Sequence, residues 1–434
     1  MTPTAVTADQ PPEPGRPPLA LVGILSEGFL SHLSSGVMAF ALPLYARHLG
    51  LSVAEVGILL SLHLSVSLAL KPFTGRVADW LGYRRGASAA TVFRSLLSFL
   101  LAAAGTPWHL FGLQAARGVA KAVRDPAMHA LIAARGGKKR LASTFAWYQT
   151  ADGTAGPLGR ALAGVLLTAT AANFRCVFAL AAALSVLPVV VLSFSRTSQP
   201  DETAPRPARP QAPGDTSTGT QPLTALLPFV DLGALISGTA HMLHGLMPVL
   251  LVEYAGLNEA QAGILYLVST VVMLVATPIF GWLCDHAHRE LVLLIRSLAN
   301  VLSSVLYLLV PTFAGFACAK ALNKMGTAAF RPAWALLMAE ASVTDPTRRA
   351  QRLGLMSAGD DAGSIAGPVL AGAVWSTWGI PALLGTRIAL ALVAEGYTLL
   401  FTRTMARAAR PPDSPEPPGT ARPVNTSPAS FLSS

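Results

Sequence analysis

A ten-residue stretch carries three basic side chains that would lie on one helical face inside an apolar segment. It reads RGVAKAVRDP and is flanked by PWHLFGLQAA and AMHALIAA. Arg117, Lys121 and Arg124 follow the spacing i, i+4, i+7, which places them on one side of a helix. Such a group of cations can hold an anion, or it can pair with carboxylates on neighbouring helices.

A second basic stripe follows the same pattern later in the chain. Lys320, Lys324 and Arg331 also share one helical face. An ionisable side chain at mid-membrane costs about 2.5 to 3.5 kcal/mol on insertion scales, so both stripes are expected to face a bundle interior or a water-filled cavity. The acids available to neutralise them are Glu27, Asp125, Asp152, Asp231, Asp360 and Asp361.

These charges allow two interpretations. In the first, they serve a substrate and a coupled proton: the substrate-binding candidates are Arg117, Lys121, Lys324, His32 and Asp231. The candidates for proton exchange are Glu27, Asp152 and Asp360. In the second, the basic stripes form interhelical bridges that open and close between states, a gating role that we assign to Arg124 and Asp361.

The composition indicates a chain that crosses a membrane many times. Of its 434 residues, 52% are hydrophobic and 12% are charged, and the mean hydropathy is +0.50. Soluble domains contain about 25% charged residues. Because a hydrocarbon core of about 30 Å requires roughly 20 apolar residues per helix, we predict an all-α polytopic protein with twelve spans, at 19–45, 54–76, 86–106, 108–134, 142–168, 173–195, 223–252, 259–283, 290–311, 312–340, 350–378 and 380–403.

The pattern divides the chain into two six-helix halves and three polar segments. The segment between the sixth and seventh spans is rich in Pro, Ser and Thr, a composition typical of disordered linkers. Basic residues gather in alternate short loops, which predicts that both termini and the linker are cytoplasmic. The predicted divisions are a disordered N-terminus at 1–18, a first half at 19–195, a disordered linker at 196–222, a second half at 223–403 and a disordered tail at 404–434.

The two halves resemble each other in register. LSVAEVGILL at 51–60 matches LNEAQAGILY at 257–266. TADGTAGPLGRALAG at 150–164 matches AGDDAGSIAGPVLAG at 358–372. We infer a parallel duplication of a six-helix unit, an arrangement found in transporters whose halves are related by an axis along the membrane normal.

A loop motif then connects the sequence to a known family. GRVADWLGYRRG resembles the signature loop between the second and third helices of the major facilitator superfamily, and GWLCDHAHRE is a degraded copy in the second half. The resemblance implies a major facilitator fold of twelve helices in two pseudo-symmetric halves, with helices one, four, seven and ten around a central cavity. It also implies a cytoplasmic gate formed by Gly75, Asp79, Gly82, Arg84 and Arg85.

A further resemblance lies in the fifth span. DGTAGPLGRALAG is similar to the glycine-proline motif of antiporters in this superfamily, with Gly156 and Pro157 as its central pair. Proline bends a helix and glycine permits close helix contact, so we count both as gating residues. The sequence departs from the pattern because Asp152 and Arg160 replace small residues, and because Gln114 stands where many drug exporters of the superfamily carry an arginine.

The sequence contains no pattern typical of a catalytic, metal or cofactor site. Cys176, Cys284 and Cys318 are single and far apart, and His241 and His244 have acids only on other helices. A phosphate-binding GxxxxGK[ST] loop is absent, so transport energy would come from an ion gradient. The net charge of +10 is spread over short loops, which argues against nucleic-acid binding.

The sequence therefore predicts a secondary transporter that is not an enzyme and uses no cofactor. We expect proton-coupled efflux of a small organic compound, drug-like or a secondary metabolite, by a monomer in a bacterial inner membrane. One alternative is uptake or exchange of an anionic metabolite, for which a cationic cavity would be the main support. Another is a membrane receptor or scaffold that keeps the transporter fold.

Overall fold

The described part of the chain is built from helices. A computed structural model describes residues 19–81, 83–194, 227–286, 289–343 and 349–408, and these ranges contain no strand. The helices are α1 (Leu19–His48), α2 (Val53–Leu81), α3 (Tyr83–Ala103), α4 (Pro107–Ala169), α5 (Phe174–Phe194), α6 (Leu227–His244), α7 (Met247–Val249) with a π-helical turn at Leu250–Tyr254, α8 (Glu259–His286), α9 (Arg289–Leu309), α10 (Phe313–Val343) and α11 (Arg349–Ala408).

Helix α4 contains two of the predicted spans. Arg124 bonds to Glu27 of α1, and Tyr148 lies against Gly28 of the same helix. A straight helix would separate Arg124 from Tyr148 by about 36 Å, so the chain must reverse direction between them. We call the parts before and after this reversal the first and second parts of α4.

Helix α11 also contains two predicted spans. It is interrupted at Gly379, whose φ of 80° lies in the left-handed region that glycine adopts without strain. This break falls between the predicted spans 350–378 and 380–403. With α6, α7 and the π-helical turn counted as one crossing, the described helices correspond to the twelve predicted spans.

Length and composition alone identify fewer crossings. Six helices in the described ranges pass as membrane spans, and the bent pair Leu227–His244 and Met247–Tyr254 would add a seventh. One of the six, Leu355–Thr398, has 44 residues, about twice what a hydrocarbon core requires. Large apolar side chains such as Phe99, Val271 and Leu274 are half exposed or more, as helices that face lipid require.

Two close glycine contacts join the halves. A Cβ added at Gly57 of α2 would lie 2.3 Å from a backbone oxygen of α11 and 3.3 Å from the Cα of Gly372. A Cβ added at Gly164 of α4 would lie 2.2 Å from a backbone oxygen of α8 and 3.0 Å from the Cα of Gly263. In the repeat, Gly57 corresponds to Gly263 and Gly164 to Gly372, so the two contacts are pseudo-symmetric.

The same end of the molecule carries a shared apolar core and an ion pair. Buried residues of both halves, among them Phe40, Leu59 and Leu265, form one hydrophobic cluster there. Arg47 at the end of α1 bonds to Glu253 of the π-helical turn at 2.8 Å. We call this the closed end of the molecule.

The predicted polar segments fall mainly outside the described residues. The predicted N-terminus at 1–18 and linker at 196–222 lie there entirely. Of the predicted tail, only the part up to Ala408 is described, and it continues α11.

Candidate functional site

A cavity lies between the second part of α4 and the helices of the second half. Its empty volume is about 530 Å³, part of it open to solvent. The first half contributes Arg160, and the second half contributes Lys320, Lys324 and Arg387. None of the described lining residues is Asp or Glu. The cavity is therefore strongly basic.

Two of these cations flank one aromatic ring. The Nζ atom of Lys320 lies 3.4 Å from the centroid of the Tyr266 ring, and the Cζ atom of Arg160 lies 5.0 Å from the same centroid. The cationic centres can thus be no farther apart than the sum of those distances. Two like charges about 8 Å apart repel each other by about 2 kcal/mol at an effective dielectric constant of 20.

Lys320 is the more deeply buried of the pair. It is 6% exposed, and the charged groups that act on it are Lys324 and Arg160, both basic. A desolvated cation–π contact contributes about 2 kcal/mol, whereas removing a charge from water costs several kcal/mol. The Tyr266 ring therefore compensates only part of the cost of burying Lys320.

Histidine and arginine side chains complete the polar lining. Arg160 is within hydrogen-bonding distance of the His244 ring, with 3.2 Å between Nη2 and Nε2. Arg387, 1% exposed, donates to the carbonyl oxygen of Thr239 at 3.3 Å and to the hydroxyl of Ser304. Arg387 is thus fixed in position by neutral acceptors.

The first half contains a separate buried ion pair. Arg124 Nη2 donates to Glu27 Oε1 at 2.7 Å and to Ser31 Oγ at 2.8 Å. The side chains of Arg124 and Glu27 are 7% and 0% exposed. Glu27 Oε2 and Arg124 Nε are buried without a hydrogen-bond partner. The pair is therefore desolvated but only partly satisfied.

A second arginine shares the same hydroxyl group. Arg94 of α3 donates to Ser31 and, at 3.2 Å, to Ser35, both on α1. The Ser31 hydroxyl thus joins guanidinium groups of α3 and α4, and Arg124 is the one of these two that bonds to Glu27.

His32 and Asp152 form a further pair beside this cluster. His32 Nδ1 lies 2.8 Å from Asp152 Oδ1, which joins α1 to the second part of α4. The His32 ring also packs edge-on against Tyr148, with 5.8 Å between ring centroids. The predicted substrate residue His32 and the predicted proton residue Asp152 are therefore partners of each other.

The basic stripe of α4 divides among three environments. Arg117 donates to Gln114 of its own helix at 3.4 Å. Lys121 pairs with Asp125 one turn later at 2.7 Å, and both side chains are about two-fifths exposed. Only Arg124 bridges to another helix, and its acid is Glu27 rather than Asp152.

The remaining predicted binding and proton residues lie apart from the cavity, except Lys324. Asp231 is exposed on α6. Asp360 of α11 lies against Gly233, where an added Cβ would be 3.2 Å from its Oδ1. Asp361 bonds to Lys71 of α2 and so connects the two halves. Asp361 thus bridges the halves, but to a lysine outside the basic stripes.

The predicted gating residues are only partly described. Side chains of Asp79 and Arg84 and the whole of Gly82 lie outside the described residues, whereas Arg85 is exposed. Gly75 lies in α2. In the glycine-proline motif, Gly156 lies against α1, where a Cβ added at Gly36 would be 2.1 Å from its carbonyl oxygen.

The cavity includes residues that the sequence interpretation passed over. The sequence marks Arg160 only as a departure from the glycine-proline motif, and its patterns assign no role to Arg387 or Tyr266. Both arginines are charges within apolar helices, which is the signal that could have identified them. Pro157, predicted as a gating residue, also lines the cavity.

No group of three or more His, Cys, Asp or Glu side chains suited to a metal ion occurs within the described ranges. His241 instead bonds to the carbonyl oxygen of Ser237 at 2.9 Å, and His244 faces Arg160.

Solved transporter structures share this fold. A bacterial homolog to the human lysosomal transporter Spinster, in an inward-facing and unoccupied conformation, superposes with a TM-score of 0.69 at 14% identity, covering 92% of this chain and 100% of that one. The nucleoside transporter NupG superposes with a TM-score of 0.66 at 17% identity, covering 89% of this chain and 99% of that one. At these identities the likeness extends to the fold alone.

Sequence comparison gives the family. No curated protein matches this sequence significantly. The family model described as Major Facilitator Superfamily matches twice, over residues 25–239 and 230–433. The second match begins in the predicted seventh span, as expected for a duplicated six-helix unit. This result agrees with the expected fold and transporter class, and the family is not one of enzymes. The chain belongs to the major facilitator superfamily.

Proposed function

We propose that this secondary transporter carries a small organic anion and binds it in the cavity around Tyr266. The observation that supports this proposal is the charge of the lining, because Arg160, Lys320 and Arg387 meet no acidic side chain among the described lining residues. An anion that enters supplies the partner that buried cations need.

Alternating access in this proposal depends on which end of the molecule is closed. Glycine contacts and the Arg47–Glu253 pair hold the halves together at one end. The distribution of basic loops supports a position of that end on the outside, and we propose that the cavity opens to the cytoplasm. Exposure to the other side requires these contacts to separate and the opposite end to close.

Glu27 is the proton carrier that we propose for coupling. Its carboxylate is buried, bonds to Arg124 through one oxygen and leaves the other oxygen without a hydrogen-bond partner. Protonation would remove the negative charge that holds Arg124, which would free α1 and α4 to shift against each other. Asp152, paired with His32, and Asp360 of α11 are the other proton-exchanging candidates.

The direction that we propose is export in exchange for protons, by a monomer in a bacterial inner membrane with cytoplasmic termini. The basic cavity also favours a second candidate function, uptake or exchange of an anionic metabolite. Export in exchange for protons and exchange of one anion for another differ in whether a proton gradient drives the flux. The direction of the gradient that accelerates the flux separates export from uptake.

The assay uses the purified protein in liposomes loaded with labelled succinate or labelled glycerol 3-phosphate, and with glycerol as a neutral control. For proton-coupled export, an imposed pH gradient accelerates anion flux and an ionophore that collapses the gradient removes the acceleration. Persistent exchange of anion for anion without any response to pH would support the second candidate. Absence of flux for every anion tested would contradict the proposed substrate class.

A further inference from the structure

The two halves each contribute a positive centre to the same aromatic ring. Arg160 comes from the second part of α4, whereas Lys320 comes from α10. Their distances to the Tyr266 centroid, 5.0 Å and 3.4 Å, confine both centres to a space that a small molecule can span. The binding site is thus divided between the parts of the molecule that must move in alternating access.

Neither centre has a carboxylate partner among the described residues. The contacts of Arg160 are the His244 ring and the Tyr266 ring. Lys320 meets the Tyr266 ring, and the charged groups that act on it are Arg160 and Lys324. Lys320 is buried, whereas Arg160 is partly buried. A ligand with a single negative charge would pair with one centre and leave the other without an anion, so two anionic charges would satisfy both.

The two cations also differ in the anions that they recognise. The guanidinium group of Arg160 is planar and can bind a carboxylate or a phosphate group through two parallel hydrogen bonds. The ammonium group of Lys320 is a compact charge without such a directional preference. Asn323 of α10 lines the same cavity and can donate or accept a hydrogen bond from a hydroxyl group.

From this geometry we propose that the ligand is a compact anion with at least two negative charges, a short dicarboxylate or a phosphate monoester. One anionic charge lies against Arg160 and the other against Lys320, so the bound ligand connects the two halves. This inference rests on the proposed function, since it names the class of anion that the cavity takes.

The test measures thermal unfolding of the purified full chain in detergent at constant ionic strength. The probes are propionate and succinate, which differ by one carboxylate, and glycerol and glycerol 3-phosphate, which differ by one phosphate group. Succinate, glycerol 3-phosphate or both are expected to raise Tm in a saturable way, with an apparent Kd at least tenfold below that of the matched probe. The dianion that raises Tm shows whether the ligand is a dicarboxylate or a phosphate monoester.

Substitutions then assign the two charges to their residues. Arg160→Gln and Lys320→Gln are each expected to abolish the preference for the dianion, bringing its apparent Kd to within about twofold of the monoanion. Lys320→Arg is expected to retain the preference. Arg175→Gln removes the same charge from an exposed position on α5 and serves as the matched control, with the preference unchanged.

The outcomes separate this inference from the proposed function. If propionate and succinate stabilise the protein equally and glycerol 3-phosphate does not stabilise it, the proposal of a dianionic ligand is overturned. The proposal of an anion transporter then still stands. A dianion preference that survives both Gln variants, folded by size-exclusion chromatography, would overturn the assigned residues. No stabilisation by any of the anions, together with no anion flux in liposomes, would overturn both proposals.

Discussion

At the scale of single residues, two ion pairs on α4 differ in how far the protein excludes water from them. Arg124 and Glu27 are almost fully buried, whereas Lys121 and Asp125 are about two-fifths exposed. Removing one partner of a buried pair costs about 3 to 5 kcal/mol, because the other charge stays desolvated. An exposed pair within one helix contributes about 0.3 to 0.5 kcal/mol. The two pairs should therefore respond very differently to neutralisation.

We predict that Glu27→Gln lowers the free energy of unfolding by several kcal/mol, whereas Asp125→Asn changes it by less than about 1 kcal/mol. The measurement is thermal unfolding of each variant in the same detergent. Because the stranded arginine causes the loss, a double variant with Glu27→Gln and Arg124→Gln should recover part of it. A double variant no more stable than Glu27→Gln would argue against a direct ion pair.

The double variant also tests coupling. Without the carboxylate of Glu27, a pH gradient should no longer accelerate anion flux, although exchange of anion for anion persists. The control is Asp125→Asn, which keeps Glu27 and should keep the response to pH. If the response of the flux to pH is unchanged in the double variant, Asp152 or Asp360 carries the proton instead of Glu27.

The sequence predicts some of the residues that line the cavity but not others, and the difference has a physical reason. The spacing of Lys320 and Lys324 predicted a basic helical face, and Lys324 indeed lines the cavity. Tyr266, Arg160 and Arg387 lie on other helices, and periodicity within one helix carries no information about which faces of different helices meet. Their convergence required the three-dimensional arrangement.

At the scale of helices, the sequence predicted most of what the structure contains. The lengths of the apolar segments predicted the membrane spans, and Gly379 breaks α11 between two of those predicted spans. The repeat aligned Gly57 with Gly263 and Gly164 with Gly372, the four glycines of the two interhelical contacts. The alignment did not indicate that α2 packs on α11 or that α4 packs on α8. Pseudo-symmetry shows which position of one half is equivalent to which position of the other, but not which helices of the two halves contact each other.

These contacts allow a comparison of three glycines. A Cβ at Gly57 would lie 2.3 Å from a backbone oxygen of α11, and a Cβ at Gly263 would lie 3.0 Å from one of α4, whereas Gly112 has nothing within 4 Å. Overpacking costs about 1 to 3 kcal/mol. Alanine in place of an uncrowded helical glycine stabilises by about 1 kcal/mol.

We therefore predict that Gly57→Ala lowers both Tm and transport, that Gly263→Ala has a smaller effect of the same sign, and that Gly112→Ala raises Tm with transport unchanged. Thermal unfolding and anion flux in liposomes are the measurements. Unchanged Tm and transport in Gly57→Ala would contradict the close approach of α2 and α11.

At the scale of the whole molecule, one ion pair among the described residues connects the ends of the halves on the closed side. Arg47 and Glu253 bond at 2.8 Å, with about a third of each side chain exposed. Their separation in sequence equals that between the matched segments LSVAEVGILL and LNEAQAGILY, so the two residues occupy equivalent positions. A pair of this exposure contributes about 1 kcal/mol or less, enough to change the ratio of two conformations about fivefold. The pair therefore biases the equilibrium between conformations without locking it.

We predict that Arg47→Glu opens the closed end in a measurable fraction of molecules, because two acids then face each other. Reversing both charges, Arg47→Glu with Glu253→Arg, should restore the closed population in part, since the bond from Arg47 to the Leu51 carbonyl oxygen at 2.7 Å is still lost. The distance between spin labels at Ser52 and Asn258, exposed positions on the two halves, reports the change in a background without native cysteines. Arg175→Glu, an exposed charge reversal on α5, is the control. If the single and double reversals give the same distance distribution as the control, the Arg47–Glu253 pair does not hold the closed end together.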